Sequence, residues 1–275
     1  MIALFNNQLT ENQIASPFND RALQFGDGLF ETIKVKDGKV QLLDYHLRRL
    51  HLGASAIGLK IPDHIRLEHL KKDILHMMHL NHLEFNANVK LTVWRKNDNQ
   101  RAYFSEEEHA NTLLLTRNSS DLQPKNKSSF SEDIKLHYWK LSQFKTISAL
   151  PYVMAARERD RRKLDELILL NVHDHITECT SSNIYWIKDE IIFTPSLKTG
   201  CIAGVMRAYL LDYFKENNIE AKEVEAEKQQ LMEADTVFTS NSQGVQVISA
   251  IDEVNFNKIG LLDTVLADLD QGNRI

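Results

Sequence analysis

The spacing of apolar positions along this chain alternates between a period of two and a helical period, and each switch predicts an element. Over residues 1–42 short apolar runs alternate with polar turns. Asn6-Asn7 interrupts LFNNQL, and Asp37-Gly38 separates the two alternating halves of IKVKDGKVQLL, which is a hairpin signal. From Leu43 the period becomes helical. Leu43, Leu47, Leu50, Ala54 and Ile57 predict a helix with one apolar face, ended by Pro62. Ile65, Leu70, Ile74 and Met77 predict a second helix. Alternation returns in ANVKLTVWR, where Val89, Leu91 and Val93 point inward, and NTLLLT (111–116) predicts one more strand.

Residues 117–131 (RNSSDLQPKNKSSFS) lose hydrophobicity and gain Ser, Asn and Lys, the composition of a linker or long surface loop. Beyond it IKLHYW predicts a strand and Pro151 to Lys163 a helix. ELILLN, NIYWIK and EIIFTP predict strands. Gly204 then opens a helix carrying Met206, Leu210, Leu211 and Phe214. A short helix over 227–233, strands near TVFTS and VQVIS, and a C-terminal helix from about Ile259 complete the chain. The expectation is a two-lobed α+β protein. A small N-terminal α/β lobe spans 1–117, a linker or long loop 118–131, and a larger C-terminal mixed α/β lobe 132–275.

Composition narrows the function. The 275 residues suffice for two cores, and 43% are hydrophobic. A net charge of -5 without a basic stripe argues against nucleic acid as a partner. No apolar run approaches the roughly 18 residues that a membrane span needs, and MIALFNNQLTENQ lacks the pattern of a signal peptide. The two cysteines, Cys179 and Cys201, fit a reducing, cytoplasmic setting. The histidines (His46, His51, His64, His69 among them) are scattered among polar residues as on solvated helix faces, so no metal is expected.

Single residues carry weaker signals. Lys145 stands in LSQFKTISAL between a strand and a helix, with apolar neighbours Phe144, Ile147, Ala149 and Leu150. It reads as a snorkelling lysine or as a buried, reactive amine. Glu178 precedes Thr, Ser and Ser in ITECTSSNIYW, just before a strand. Gly204 opens GVMRAYLL, whose first turn has no acid, and free N–H groups at such an end hold phosphate. TSNSQG (239–244) puts hydroxyls and an amide between two strands. Arg49 lies at the edge of the first apolar helix face, FGDGLFE (25–31) holds two glycines around Asp27, and Arg101 and Tyr103 lie in the polar loop RKNDNQRAYF.

The order of these signals resembles the class IV aminotransferases, the fold-type IV pyridoxal phosphate enzymes, over nearly the whole chain. DRALQFGDGLFETIKVKDGKVQLLDYHLRRL is similar to that family's first signature. ITECTSSNIYWIKDEIIFTP followed by IAGVMR is similar to its second. The resemblance implies a D-amino acid aminotransferase-like fold, pyridoxal 5'-phosphate as cofactor and a small amine as substrate. It makes Lys145 the lysine that carries the cofactor and shuttles the substrate's proton, and Glu178 the carboxylate facing the pyridine nitrogen. Arg49, the N–H groups of Val205 and Met206, and Ser240 and Asn241 become phosphate ligands. Phe30, Arg101 and Tyr103 become substrate contacts. It also implies a homodimer whose sites borrow the loop of Arg101 from the partner.

Within the family the pattern leans towards the aminodeoxychorismate lyases. Leu150 stands where branched-chain aminotransferases place a tyrosine. Arg101-Ala-Tyr103 stands where D-amino acid aminotransferases place Arg-x-His. SNSQG and Trp186 are lyase-like, whereas Ser148 stands where both lyases and D-amino acid aminotransferases usually have asparagine. Aminotransferase activity on D-amino acids or branched-chain amino acids, or cofactor binding without turnover, remain the alternatives.

Overall fold

Two asparagines at positive φ, Asn6 and Asn7 (47° and 63°), turn the chain between β1 (Ile2–Phe5) and β2 (Gln8–Glu11). The computed structural model describes residues 1–11, 20–98, 103–119, 122–257 and 260–271. A short helix that the apolar spacing does not announce, α1 (Arg21–Phe25), follows and is capped by the Asp20 carboxylate. Next come β3 (Gly28–Lys36) and β4 (Lys39–Val40), joined through Asp37 and Gly38 as expected. α2 (Leu43–Ala56), α3 (Leu67–Leu80), β5 (Ala87–Arg95) and β6 (Ala110–Asn118) complete this part.

The strands form one six-stranded sheet in the order β2-β1-β6-β5-β3-β4. Leu29, Ile33 and Val35 of β3 and Val89, Leu91 and Val93 of β5 meet Leu47 and Leu50 of α2 and Leu70, Ile74 and Met77 of α3 in a buried cluster. Each such side chain contributes about 1.5–3 kcal/mol on burial. Pro62 does not end α2. The helix stops earlier, at Gly58 (φ 63°), where Leu59 N–H donates to Ala54 C=O at 2.8 Å and Gly58 N–H to Ser55 C=O at 3.2 Å. That is the paired closure that a left-handed residue after a helix provides.

The later elements begin with β7 (Ser128–Leu136), which starts before the expected IKLHYW strand and takes in part of the expected linker. Polar composition hid this strand start. Ser129 Oγ accepts from Arg162, Ser131 Oγ donates to Glu158, and Phe130 joins the core, so the serines are buried and satisfied. α4 (Leu150–Arg161) crosses to β8 (Glu166–Asn171), parallel to β7. β9 (Ile176–Cys179), β10 (Asn183–Lys188), β11 (Ile191–Pro195), α5 (Val205–Glu216) and β12 (Ala221–Val224) follow. The last elements are α6 (Lys228–Met232), β13 (Thr236–Asn241), β14 (Gly244–Ile248), β15 (Ala250–Ile251), β16 (Val254–Asn255) and α7 (Gly260–Gln271).

Two five-stranded sheets result, β12-β11-β10-β13-β14 and β16-β15-β7-β8-β9. Ile168 and Ile176 of one and Ile184, Trp186 and Val237 of the other share a core. The chain divides into two compact units, Met1–Ser120 with Phe144–Ser148, and Asp121–Gln143 with Ala149–Ile275. Among the described residues no helix is long and apolar enough to cross a membrane.

Candidate active site

In the first unit β3 is the organising strand. β5 pairs with it from Gly28 to Val35, whereas β4 takes only Val35 and Lys36 on the other edge. The Gly28–Phe30 end of that edge is taken by the returning segment Phe144–Ser148. Leu29 bridges Thr146, Phe30 N–H donates to Lys145 C=O at 2.9 Å, and Ile147 N–H donates to Gly28 C=O at 3.0 Å. The backbone of Lys145 is therefore fixed by a strand rather than left in a loop. Its half-buried side chain places Nζ 4.6 Å from the centre of the Phe30 ring. Lys90, on β5, places its own Nζ 4.8 Å from the same ring. Cations at this distance are attracted by the aromatic face.

The residue after Phe30 is buried. Glu31 accepts from Arg49 Nε at 2.8 Å and Nη2 at 2.5 Å, and lies 2.5 Å from His46 Nδ1. His46 and Arg49 are three apart on α2 and so share a face. Burial pushes the Glu31 carboxyl up, but the Arg49 guanidinium and His46 outweigh it and bring it down to about 2. The arginine expected at the phosphate is thus held by an ionised carboxylate that sequence reasoning missed. A signal was present: Glu31 occupies an inward position of the alternation Leu29, Ile33, Val35.

In the second unit Glu178 lies just ahead of β10, as expected, and itself belongs to a further strand, β9, where it pairs with Leu169 of β8. The ITEC run was too short to read as a strand. The Glu178 carboxylate accepts the Tyr152 hydroxyl at 2.6 Å and the Ile202 N–H at 3.2 Å from each oxygen. Ile202 C=O in turn accepts from Asn183 Nδ2 at 2.8 Å and from Gly204 N–H at 2.9 Å. Asn183 pairs in register with Ser240 across β10 and β13. One short segment, 201–204, therefore ties the carboxylate to the N-terminus of α5 and to the strand that carries Ser240.

That N-terminus has no side-chain cap and no acid in its first turn. The first N–H groups of a helix have no partner within it, and they bear partial positive charge. Glycine at 204 leaves room for Asn183, because a Cβ there would lie 1.9 Å from Asn183 Oδ1 and force that side chain to move. Ser240 Oγ lies 2.9 Å from the buried Tyr185 hydroxyl, and Asn241 Nδ2 donates to Ser181 C=O at 3.2 Å. Burial, with the charge of Glu178, pushes the Cys201 thiol up to about 12, so it stays protonated.

The donor set fits pyridoxal phosphate. Within the second unit the helix N–H groups and a serine hydroxyl suit its phosphate and a buried carboxylate suits its ring nitrogen; within the first, a fixed guanidinium suits a phosphate. Lys145, Phe30 and Arg49 belong to the first unit, and Glu178, Val205, Met206, Ser240 and Asn241 to the second. Tyr103 is 83% exposed, with its carbonyl accepting from Arg21 at 2.7 Å. Arg101 lies outside the described residues. Lys90 and Tyr152 escaped sequence reasoning because nothing local marks them.

A family model described as amino-transferase class IV matches residues 28–251. The D-alanine aminotransferase of Listeria monocytogenes is 29% identical over 251 residues, covering 88% of this chain and 84% of its own length. The aminodeoxychorismate lyase of Vibrio harveyi is 27% identical over 267 residues, covering 94% of each chain. Among solved structures the 4-amino-4-deoxychorismate lyase of Pseudomonas aeruginosa superposes with a TM-score of 0.85 at 25% identity, covering 99% of this chain and 100% of the other.

Proposed function

This chain belongs to the class IV aminotransferase family and is a pyridoxal phosphate enzyme of fold type IV, and from that premise we propose that it is a 4-amino-4-deoxychorismate lyase, releasing 4-aminobenzoate and pyruvate for folate synthesis. The observation that carries this reading is the second cation at Phe30. Lys90 Nζ stands over the ring that also carries Lys145 Nζ. Aminodeoxychorismate has two carboxylates, where D-alanine has one. Arg101 answers one of them and Lys90 the other. Arg101-Ala-Tyr103, SNSQG and Trp186 support the same choice, and Leu150 speaks against a branched-chain aminotransferase.

When bound, the cofactor supplies an electrophilic carbonyl and a ring that draws electron density from the substrate's amine-bearing carbon. In this reading Lys145 anchors the cofactor and then moves the proton of that carbon at its Nζ. The buried Glu178 carboxylate holds the proton of the ring nitrogen in place. Arg49, fixed by Glu31, the N–H groups of Val205 and Met206, and Ser240 and Asn241 hold the phosphate. Phe30 covers Lys145, and Tyr103 with Arg101 meets the substrate. The same reading makes the enzyme a cytoplasmic homodimer.

D-amino acid transamination is the second reading, favoured by the 29% identity to D-alanine aminotransferase. A substrate panel decides. The purified protein, given aminodeoxychorismate, is expected to release 4-aminobenzoate faster than it transfers an amine from D-alanine, D-glutamate or leucine to a keto acid. Lys145→Ala is expected to abolish both the release and the visible, borohydride-reducible chromophore. Transfer from D-alanine without release of 4-aminobenzoate overturns the lyase reading. A chromophore retained in Lys145→Ala overturns the role of Lys145.

A further inference from the structure

Tyr152 makes a contact in the second unit that carries no role so far. It stands in the first turn of α4, which Pro151 initiates, and its ring packs against the cluster of Leu136, Ala155, Leu167 and Leu169. Leu169 is the β8 residue paired with Glu178. The cluster that seats the ring therefore also sets the strand that carries the carboxylate. The hydroxyl reaches Glu178 Oε1 at 2.6 Å, within the range of hydrogen bonds to charged oxygens.

Burial and the adjacent Glu178 charge both push the Tyr152 phenol far above its ordinary value. Tyr152 keeps its proton and is the donor. A donor aimed at a carboxylate favours the ionised form and weakens it as a base.

We propose that Tyr152 is a positioning residue for Glu178, orienting its carboxylate and holding it ionised so that the proton facing the cofactor stays on the ring nitrogen. The inference rests on the reading that Glu178 faces that nitrogen. The ring draws electron density fully only when its nitrogen is protonated. A carboxylate left without the phenol would compete for that proton.

The test is the nitrogen-15 resonance of ring-labelled pyridoxal phosphate in the holoenzyme, recorded for wild type, Tyr152→Phe and Glu178→Gln. Wild type is expected at the pyridinium position. Tyr152→Phe is expected to move towards neutral pyridine and to lower kcat about tenfold, with KM changed less than about twofold. Glu178→Gln is expected to move further in the same direction. If Glu178→Gln shifts the resonance and Tyr152→Phe does not, the inference about Tyr152 is overturned and the assignment of Glu178 stands. If Glu178→Gln leaves the resonance at the wild-type position, the assignment of Glu178 itself fails. Should Tyr152→Phe not fold, p-aminophenylalanine at position 152 keeps the ring with a weaker donor. It is then expected to give an intermediate resonance, and a wild-type value would overturn the inference.

Discussion

At Glu31 two effects oppose each other, and their balance sets a pH dependence. Burial alone raises a carboxyl, but Arg49 and His46 bring this one from 4.5 down to about 2. A carboxyl depressed in the folded state stabilises the fold above its unfolded value. That contribution is lost as pH falls from about 4.5 towards about 2. The loss should be on the order of 3 kcal/mol across that window. Denaturant melts at a series of pH values check this. Glu31→Gln is expected to flatten that part of the profile and to cost about 3 kcal/mol, because it strips a half-buried arginine of its buried anion. A Glu31→Gln profile parallel to wild type below pH 4.5 would sink the argument. Glu31 also marks what the sequence leaves unread. Lys145 and Glu178 carry weak signals alone and stand out only through the order of motifs that resembles the family. The meaning of Glu31 comes from partners 15 and 18 residues away, and that of Tyr152 from one 26 residues away.

Helices and strands were legible where one face is apolar over several turns or several alternations, as in α2, α3, β5 and the β3–β4 hairpin. They were not legible where polar residues are buried and satisfied by tertiary partners. Ser129 and Ser131 of β7 and the threonine and glutamate of β9 are such cases. Sequence placed the start of α5 at Gly204, and the reason for that glycine is a neighbouring element. Asn183 of β10 occupies the space a Cβ at 204 would need, while its amide holds Ile202 C=O. Gly204→Ala is therefore expected to displace Asn183, loosen the 201–204 segment and weaken binding of pyridoxal phosphate by about tenfold or more. Titration of the apoprotein, read by visible absorbance, measures it. Asn183→Ala combined with Gly204→Ala makes room for the new methyl and is expected to recover part of the affinity. A double mutant no better than Gly204→Ala alone would show that the clash is not the cause.

Across the whole molecule the family match runs from residue 28 to 251 and so draws on both compact units, which is why architecture was the most legible property of the sequence. Subunit arrangement is the property that a single chain leaves open, and it yields the last prediction. The proposed reading gives Lys145 to the cofactor and Arg101 to the substrate, and makes the loop of Arg101 serve the partner's site. Near that loop the described chain has exposed aromatic rings, Tyr103 at 83% and Phe104 at 67%, which a partner surface would cover. Lys145→Ala and Arg101→Ala should each be defective alone. When equal amounts are mixed and allowed to exchange, half the dimers are mixed. If the loop crosses between subunits, each mixed dimer has one site with both substitutions and one with neither. About a quarter of all sites are then intact, and 4-aminobenzoate release should return to about a quarter of the wild-type rate. If the loop serves its own subunit, every site in a mixed dimer keeps one defect. Exchange confirmed by native mass spectrometry without a rise above the parents' mean would therefore exclude the shared site while leaving the roles of Lys145 and Arg101 intact.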